Sequence, residues 1–226
     1  MRRKLTNIAI IPARMGSKRI KEKNIKNFNS KPIIEWTFRI IKKSNIFQKI
    51  VLSSESNRIL NLGRRLGFDI LIKRPKNLAD DHTGTIEVIQ HAIRELEKEF
   101  LIKNICCVYP CNPFIQIKDL KKSIYLLNKN KNSFVVPITN FSHPIERAYS
   151  LNRNGMINFI NNRFAKTRTQ DLKKKFYDVG QFFLGSKKTW FNAKSASRIG
   201  LQIPSWRAID IDNADDWKRA KLMFKL

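Results

Sequence analysis

Short apolar runs alternate with longer amphipathic segments along this chain as far as about residue 138. The runs with the length and apolar content of buried strands are residues 8–11, 49–53, 69–72, 104–109 and 133–138. The segments with apolar residues at helical spacing are residues 33–41, 59–66, 86–100 and 117–127. Strict strand–helix alternation predicts right-handed βαβ units. We therefore expect one α/β domain over residues 1–226, with a mainly parallel sheet covered by helices on both faces.

The first apolar run leads into the most unusual loop of the chain, residues 12–24. Pro12 and Gly16 end the strand, and one acidic residue, Glu22, stands among these cations: Arg14, Lys18, Arg19, Lys21 and Lys23. Ligands of parallel sheets bind at the carboxyl edge of the strands, so this loop is a candidate polyphosphate site. A solvated basic turn is the alternative. Neither the Walker spacing nor the dinucleotide glycine pattern is present, so neither of those mechanisms applies.

Two further polar loops, residues 73–85 and 109–116, follow the third and fourth predicted strands. Because parallel strands end at the same edge of a sheet, we expect these loops to gather beside residues 12–24.

The loop at residues 73–85 also carries candidate ligands that have simpler interpretations. Asp80 and Asp81 could bind a metal, but acidic residues before a helix mostly interact with its dipole. Thr83 and Thr85 are candidate caps of the same helix, and we expect one of them to cap it.

Lysine and arginine outnumber aspartate and glutamate 45 to 18, which gives a formal net charge of +27 and a pI near 10.4. Such a charge raises the hypothesis of a basic nucleic-acid-binding protein on an α/β scaffold. The lysines are scattered along every segment, however, and neither an aromatic-interleaved recognition helix nor zinc-finger spacing is present. We therefore expect no specific nucleic-acid partner, only non-specific attraction to polyanions at low salt.

Three cysteines, Cys106, Cys107 and Cys111, crowd into one segment without a neighbouring histidine. Such a set is typical of reduced core thiols rather than of disulfides or a zinc site. No apolar run approaches the roughly 18–20 residues that span a bilayer, so we expect no membrane insertion. Residues 1–4 precede an apolar run that ends in Pro-Ala-Arg, which predicts a strand start rather than a secretory signal, and a cytoplasmic protein.

The alternation breaks down between about residues 139 and 185, where asparagine and glycine turns and aromatic residues replace the helices. Segments of this kind in a doubly wound domain make a dimer contact or a lid over the site. We expect residues 139–175 to form a small irregular insertion that holds a homodimer together.

The C-terminal segment returns to a regular pattern. Residues 206–211 predict a last strand, and Asp212 and Asn213 precede a final helix with acidic residues in its first turn. Asp210 and Asp212 lie two apart at the strand end, so both carboxylates can face one side, where hard oxygen ligands suit Mg²⁺. The alternative is that Asp212 only caps the helix.

The motifs assembled so far resemble those of the acylneuraminate cytidylyltransferases, enzymes that activate nonulosonic (sialic-like) acids with CTP. The resemblance covers essentially the whole chain. Its motifs are Ile-Pro-Ala-Arg, Gly-Ser-Lys-Arg and Lys-Asn within residues 11–24, Arg74-Pro75 with Thr85, the loop from Pro110 to Pro113, and Asp210-Ile211-Asp212. The segments most similar to the pseudaminic acid cytidylyltransferases are residues 141–145, 167–172 and 177–183. The KDO cytidylyltransferases, with Ser-Thr-Arg in place of Ser-Lys-Arg, are less similar.

This resemblance implies a Rossmann-like three-layer α/β/α nucleotidyltransferase fold. It implies attack of a sugar acid's anomeric hydroxyl on the α-phosphorus of CTP, with release of pyrophosphate. Pseudaminic acid is the favoured sugar, for flagellin or cell-surface glycosylation, and the alternatives are CMP-N-acetylneuraminate and CMP-legionaminate synthesis. A Mg²⁺ cofactor would be held by Asp210 and Asp212, one of which would also serve as general base.

The resemblance also assigns roles residue by residue. The nucleotide-binding residues would be Ala13, Arg14, Gly16, Ser17, Lys23, Asn24, Arg74 and Thr85. The catalytic residues would be Arg14, Lys23, Asp210 and Asp212. For the sugar, we argue from its chemistry instead: Tyr109, Gln181 and Phe183 would form an amphipathic wall, and Arg147 and Arg168 are the candidate cations. A cation should bind the sugar carboxylate, and Arg168 is the first choice for it, before Arg147.

Met15 departs from the family pattern, which has glycine at this position. Positive φ at a non-glycine residue costs roughly 1 kcal/mol or more. We therefore expect Met15 to have negative φ, or a side chain that points away from the nucleotide. A third hypothesis is a degenerate relative that binds nucleotide without catalysis, for which Met15 is the only indication.

Overall fold

A computed structural model describes residues 5–80 and 82–225 and contains one large sheet and two small hairpins. The strands are β1 (Leu5–Pro12), β2 (Asn27–Phe28), β3 (Lys31–Pro32), β4 (Lys49–Ser54), β5 (Ile70–Lys73), β6 (Leu101–Val108), β7 (Ser133–Asn140), β8 (Tyr149–Leu151), β9 (Ile157–Phe159), β10 (Phe176–Asp178), β11 (Phe182–Ser186) and β12 (Ser197–Gln202). The expectations for residues 1–4 and for Asp81 lie outside the described residues.

The large sheet has a parallel core with β1 near its centre. Its strand order is β10-β7-β11-β6-β1-β4-β5, and β12 pairs with β7. Strands β6, β1, β4 and β5 form parallel pairs, and β12 is parallel to β7. Strands β10 and β11 are antiparallel to their neighbours, and β11 lies between β6 and β7. The mainly parallel sheet predicted from the alternation is confirmed, and β11 is an antiparallel strand that the alternation did not predict.

Helices cover both faces of this sheet. They are α1 (Ile33–Ser44), α2 (Asn57–Leu66), α3 (Thr85–Glu97), α4 (Ile117–Lys129), α5 (Lys187–Phe191) and α6 (Ala214–Met223). One core cluster packs α1, α2 and α4 against the sheet, and we call these helices the first helical layer. The other packs α3 and α5 against the opposite face, as the second helical layer. The three-layer α/β/α arrangement is confirmed.

Strand β1 shows why the chain folds around its first apolar run. Ile8, Ala9, Ile10 and Ile11 have no exposed surface, because side chains of odd and even positions enter the two different core clusters. The strand pairs with a parallel neighbour on each side, so its carboxyl end is fixed at the middle of the sheet edge. The loop that follows is therefore held at the place where ligands of such sheets bind.

The strand predicted over residues 206–211 is wrong. Ser205–Arg207 form a 3₁₀ turn after Pro204, and residues 208–212 belong to no strand. The strand that closes this part of the sheet is β12, which lies on the edge and is mostly exposed. Because few side chains of β12 are buried, its sequence does not alternate between apolar and polar residues, and the strand could not be predicted. The final helix is as predicted, and α6 begins with a capping box between Asn213 and Asp216.

The irregular segment between β7 and β10, residues 141–175, is called the arm below. It consists of the β8–β9 hairpin and three 3₁₀ turns, as the loss of helical periodicity predicted. Residues 139 and 140 still belong to β7. Across the described ranges, no helix has both the length and the apolar content to span a membrane.

Candidate active site

A cleft of about 730 Å³ opens at the carboxyl edge of the parallel strands. The three loops expected to gather there do so, together with the segment after β10 and the segment before α6. The residues that line the cleft include Pro12, Arg14, Ser17, Lys18, Arg19, Lys23, Asn24, Arg74, Asp80, Thr83, Thr85, Tyr109, Cys111, Asn112, Asp178, Gly180, Asp210 and Asp212. Most of the predicted nucleotide-binding residues and all the predicted catalytic residues therefore share one cleft.

The basic loop is fastened to its neighbours by its own side chains. Arg14 Nη1 donates to the Asp80 carbonyl at 2.9 Å, which joins this loop to the one after β5. Asn24 Nδ2 donates to the Arg14 carbonyl at 2.8 Å, and Cys111 Sγ donates to Asn24 Oδ1 at 3.1 Å. Burial raises the pKa of the Cys111 thiol to about 12, so it remains a protonated donor. The loop is thus an ordered wall rather than a solvated turn.

Met15 adopts the backbone conformation that we expected. The described non-glycine residues with positive φ are Glu22, Asn29, Ser30 and Asn45, so φ of Met15 is negative. Its N–H donates to Glu55 Oε1 at 2.7 Å, and its side chain packs against the first core cluster. Ala13 is buried, and Gly16 does not line the cleft, although its α-carbon faces open space. These two predicted nucleotide contacts therefore offer backbone atoms alone.

Glu55 is a residue of this site that the sequence did not reveal. Its side chain follows β4 and is only 16% exposed. One carboxylate oxygen accepts from Met15 N–H, and the other contacts Arg74 Nη2 at 3.3 Å. Arg74 Nη2 also lies 3.3 Å from the Ala13 carbonyl, and burial lowers the pKa of this guanidinium. Glu55 and Arg74 thus join the loop after β1 to the loop after β5.

The two aspartates before α6 face the cleft from the other side. Asp212 forms ion pairs with Lys23 Nζ at 3.1 Å and with Arg19 Nη2 at 3.0 Å. Lys23 Nζ also donates to the Ile211 carbonyl at 2.6 Å. Lys23 and Asp212, two of the predicted catalytic residues, are therefore in direct contact in the cleft. Asp212 does not cap α6, because Asn213 does.

Asp210 carries an unfavourable charge in this setting. Burial raises its pKa, and the carboxylates of Asp212, Asp216 and Asp178 raise it further, against a lowering by Lys23. Among the residues that the structure describes, none donates a hydrogen bond to this carboxylate. Gly180 leaves space for the Asp210 carboxylate. Its φ is +63°, and a Cβ at this position would lie only 3.2 Å from Asp210 Oδ2.

Asp178 is a further carboxylate at the cleft, beside Asp210, and was also missed. Its Oδ1 accepts from the Gly180 N–H at 2.9 Å, and burial raises its pKa. The sequence signal was present, since Asp178 precedes a glycine turn, but its place beside Asp210 depends on β10 pairing with β7. Within the described residues, no group of three or more His, Cys, Asp or Glu side chains is arranged to hold a metal ion. The candidate ligands are the pair Asp210 and Asp212.

The loop after β5 is organised differently from our expectation. The N-cap of α3 is Gly84 without a side-chain cap, so neither Thr83 nor Thr85 caps the helix. Asp80 Oδ1 instead accepts from the N–H groups of His82 and Thr83, and the hydrogen bonds from Thr83 lower the pKa of Asp80. Asp80 therefore shapes its own loop.

Tyr109 is the one predicted sugar contact that lines the cleft. Its hydroxyl lies 3.0 Å from Thr85 Oγ1, and burial raises its pKa to about 12. Its ring packs edge-on against Phe183 at 6.3 Å, so Phe183 supports the wall from behind. Of the wall predicted around the sugar, Tyr109 lies at the cleft with Thr85 as its hydrogen-bond partner, and its contact with the sugar stays a prediction.

The other predicted sugar contacts lie away from this cleft. Gln181 is completely buried, and its Nε2 donates to the Arg207 carbonyl at 3.0 Å. The reason is that β11 inserts between β6 and β7 and carries Gln181 into the core. Arg147 and Arg168 belong to the arm, where Arg168 pairs with Asp171 at 2.9 Å and Arg147 contacts Thr169 at 3.4 Å. The structure brings neither arginine to the cleft of its own chain.

Comparison with known proteins identifies the family. The family model described as Cytidylyltransferase matches residues 8–157. The pseudaminic acid cytidylyltransferase of Campylobacter jejuni subsp. jejuni serotype O:2 is 35% identical over an alignment of 227 positions, which covers 98% of this chain and 97% of that protein. The chain belongs to the cytidylyltransferase family. This result confirms the resemblance drawn from the motifs and makes the protein a nucleotidyltransferase.

Two further cytidylyltransferase comparisons extend this result. The N-acylneuraminate cytidylyltransferase of Escherichia coli O18:K1:H7 is 25% identical over 217 residues, 94% of this chain and 51% of that longer protein. The structure of CMP:2-keto-3-deoxy-manno-octonic acid synthetase complexed with CTP superposes with a TM-score of 0.70 at 12% identity, and covers 97% of this chain and 98% of that one. The second likeness shows that the fold is that of nucleotidyltransferases.

Proposed function

We propose that this cytidylyltransferase activates a nonulosonic acid with CTP, forming the CMP-sugar and pyrophosphate, with pseudaminic acid as the favoured substrate. The observation that carries the proposal is one cleft that joins the basic loop after β1 to the carboxylates before α6. Near full-length similarity to a pseudaminic acid cytidylyltransferase supports the choice of sugar. N-acetylneuraminic and legionaminic acids are the alternative substrates.

The triphosphate would lie against the basic loop. Arg14 offers a planar guanidinium and Lys23 a compact ammonium, which are the two side-chain types that bind phosphates best. Ser17 and Lys18 line the same wall, and Asn24 holds the loop in shape through the Arg14 carbonyl. Arg74 and Thr85, on the loop after β5, would bind the nucleoside.

Asp210 and Asp212 suit a divalent cation. The chemistry of the donor set supports this assignment: the Asp210 pKa is raised by burial and by neighbouring carboxylates, and a bound cation would relieve that repulsion. Mg²⁺ bound there would neutralise developing charge on the phosphate oxygens. Asp178, beside them, would add negative charge without being required as a ligand.

The reaction asks for little covalent chemistry from the protein. The sugar's anomeric hydroxyl attacks the α-phosphorus, its proton leaves, and the bond to pyrophosphate breaks. One of the two aspartates, Asp210 or Asp212, would accept that proton as general base. Arg14 and Lys23 stabilise the negative charge on the departing pyrophosphate. Tyr109 would form the wall against which the sugar packs.

The arm supports a homodimer. Its hairpin exposes Leu151 at 71% and Ile157 at 58%, and other apolar side chains of the arm are exposed as well: Phe141, Ile145, Tyr149, Met156 and Ile160. An apolar surface of this kind marks a protein interface. Because Arg147 and Arg168 lie away from the cleft of their own chain, we place their role in carboxylate binding at the cleft of a second copy.

The experiment that tests the function is pyrophosphate release from CTP and Mg²⁺ with pseudaminic, legionaminic and N-acetylneuraminic acids in parallel. Release with at least one acid supports the proposal, and the fastest turnover should occur with pseudaminic acid. Absence of release with all three acids, from protein that binds CTP, would indicate the degenerate nucleotide binder instead.

A further inference from the structure

Positive charge is concentrated on one side of the molecule. Helices α1, α2 and α4 together contain ten lysines and arginines and two carboxylates. Helices α3 and α5, on the opposite side of the sheet, contain three lysines and arginines and three glutamates. The net charge of +27 is therefore not distributed evenly over the helices, although the lysines look scattered along the sequence.

The two carboxylates of the first helical layer offset only one of these surface cations, Arg39. Glu35 is 12% exposed and pairs with Arg39 at 2.7 Å, and Asp119 is 9% exposed and pairs with Arg207. Both acids are thus turned inward, whereas the cations are exposed. We call the following exposed cations the basic face: Arg39, Lys42, Lys43, Arg58, Arg64, Arg65, Lys118, Lys121, Lys122 and Lys129. One neighbouring acid, Glu22, reaches this face and pairs with Arg58.

We propose that the basic face docks the enzyme on a bilayer surface rich in anionic phospholipid. A layer of helices packed side by side on a sheet is broad, and each cation close to an anionic bilayer adds to binding without needing a defined pocket. The proposal is independent of the enzyme's sugar substrate, because none of these cations lines the cleft.

The chemistry of the face favours a lipid surface over a nucleic acid. In the described part of these three helices, Tyr125 is the one large apolar side chain that is exposed. Single-stranded nucleic acids are bound by several aromatic side chains on which bases stack, and duplexes are read by elements that enter a groove. Helices packed flat against a sheet supply neither feature. A spread of cations with little exposed apolar surface suits an interfacial contact that does not insert into the membrane.

The position of the cleft is compatible with such docking. The cleft opens at the carboxyl edge of the strands, whereas the basic face covers one side of the sheet. A docked enzyme would keep its cleft open to CTP and to its sugar. The attraction acts over about 8 Å at physiological ionic strength, so the cations must lie at the lipid surface to contribute.

The test is sedimentation of the full chain with vesicles of phosphatidylcholine, with and without phosphatidylglycerol, at physiological salt. We expect binding to the anionic vesicles alone, weakening steeply as salt rises. The test variant carries four exchanges on the basic face: Lys43→Gln, Arg65→Gln, Lys121→Gln and Lys122→Gln. Each cation near an anionic bilayer contributes about fivefold, so the partition coefficient should fall by about 100-fold or more.

The matched control removes the same charge from elsewhere on the surface. Its exchanges are Lys98→Gln, Lys103→Gln, Lys188→Gln and Lys194→Gln, all at exposed positions outside the basic face. We expect less than about a threefold loss of vesicle binding, because these cations would lie too far from the lipid surface to contribute to it. CTP-dependent turnover of both variants in the absence of vesicles should match that of the wild type, which shows that both are folded.

Three results would overturn the proposal. The first is a wild type that does not sediment with anionic vesicles at physiological salt. The second is an equal loss of vesicle binding in the two variants, because net charge alone would then explain the binding. The third is tighter binding of the wild type to RNA or DNA than to vesicles, with the same dependence on the basic face, which would assign the face to nucleic acid.

Discussion

The cleft and the arm differ in where their side chains find partners. In the cleft, polar groups bind across from one loop to another: Lys23 reaches the Ile211 carbonyl, and Arg14 reaches the Asp80 carbonyl. In the arm, side chains bind within the arm, as Arg168 does to Asp171, while Leu151 and Ile157 are left exposed. On the proposed function, this comparison means that one chain would supply the nucleotide half of the site, whereas the sugar half would need the surface of a second copy.

The carboxylates of the cleft should have the largest effect on turnover. We expect Asp212→Asn to lower turnover by at least about 100-fold, because a cation ligand and its charge are lost. Pyrophosphate release at saturating CTP measures the effect. Asp215→Asn is the matched control: it removes a neighbouring acid in the first turn of α6 that does not line the cleft, and it should remain within about twofold of wild type. Full activity of Asp212→Asn would refute the metal assignment.

Glu55 tests whether the walls of the cleft are held together as the geometry indicates. Glu55→Gln keeps the shape of the side chain but replaces one of its two acceptors with a donor. The Met15 N–H or Arg74 then loses a charged partner, which is worth roughly 1.5–3 kcal/mol for a hydrogen bond to a charged group. We expect kcat/KM for CTP to fall about tenfold or more. The same exchange at exposed Glu99 should leave it unchanged. Equal kinetics of the two variants would show that Glu55 does not position the loop.

The arm side is tested by placing charge on its hairpin. Leu151→Glu combined with Ile157→Glu should convert a dimer to a monomer in analytical ultracentrifugation, because burying two carboxylates in an apolar contact is strongly unfavourable. Turnover should fall about tenfold, mainly through KM for the sugar acid, while CTP binding stays intact. Leu222→Glu, at a comparably exposed position on α6, is the control. A monomeric wild type would remove the dimer from the account.

Asp210 should make the folded enzyme less stable as pH rises. Its raised pKa means that the folded state binds more protons than the unfolded state between the ordinary pKa of about 4 and the raised one. Stability contributed by this group is therefore lost as pH rises through that interval. Asp210→Asn should raise the melting temperature at neutral pH, although it abolishes turnover, and should change it little at pH 3. A lower melting temperature at neutral pH would contradict the repulsion described here.

Met15 should show the smallest effect. Its φ is already negative and its N–H is already bound to Glu55, so Met15→Gly should change kcat by less than about twofold. Glycine makes the unfolded chain more flexible, which costs roughly 0.5–1 kcal/mol of stability. Thermal unfolding measures this loss. A large gain in activity would mean that methionine impairs the loop.

The fold could be predicted from the sequence wherever burial was continuous. Ile8 to Ile11 lack any charge, and that alone was enough to place β1 inside a parallel sheet and the basic loop at its edge. The end of the helix predicted over residues 59–66 was equally predictable, because a glycine, Gly67, follows it, and the structure confirms this C-cap with φ +84°. The exposed edge strand β12 was missed, because its side chains carry almost no alternation of burial.

The site was predictable where the chemistry lies in one short motif, as for Arg14 and Lys23. Glu55 was not, because its importance arises from parallel pairing of β4 with β1, which brings distant segments together. Gln181 was misplaced for a related reason: a polar side chain beside aromatic residues suggested a sugar wall, but the antiparallel insertion of β11 buries it. Contacts set by sheet order cannot be derived from local pattern.

The central claim is that the basic loop after β1 binds the phosphates of CTP. Isothermal titration of CTP with Mg²⁺ into the wild type and into Arg14→Gln tests it directly. We expect one binding event per chain in the wild type and an affinity at least about tenfold lower in the variant, since a charged phosphate contact is worth 1.5–3 kcal/mol. Arg163→Gln, at an exposed position in the arm, should bind CTP as the wild type does. Equal affinity of the wild type and Arg14→Gln would contradict the account.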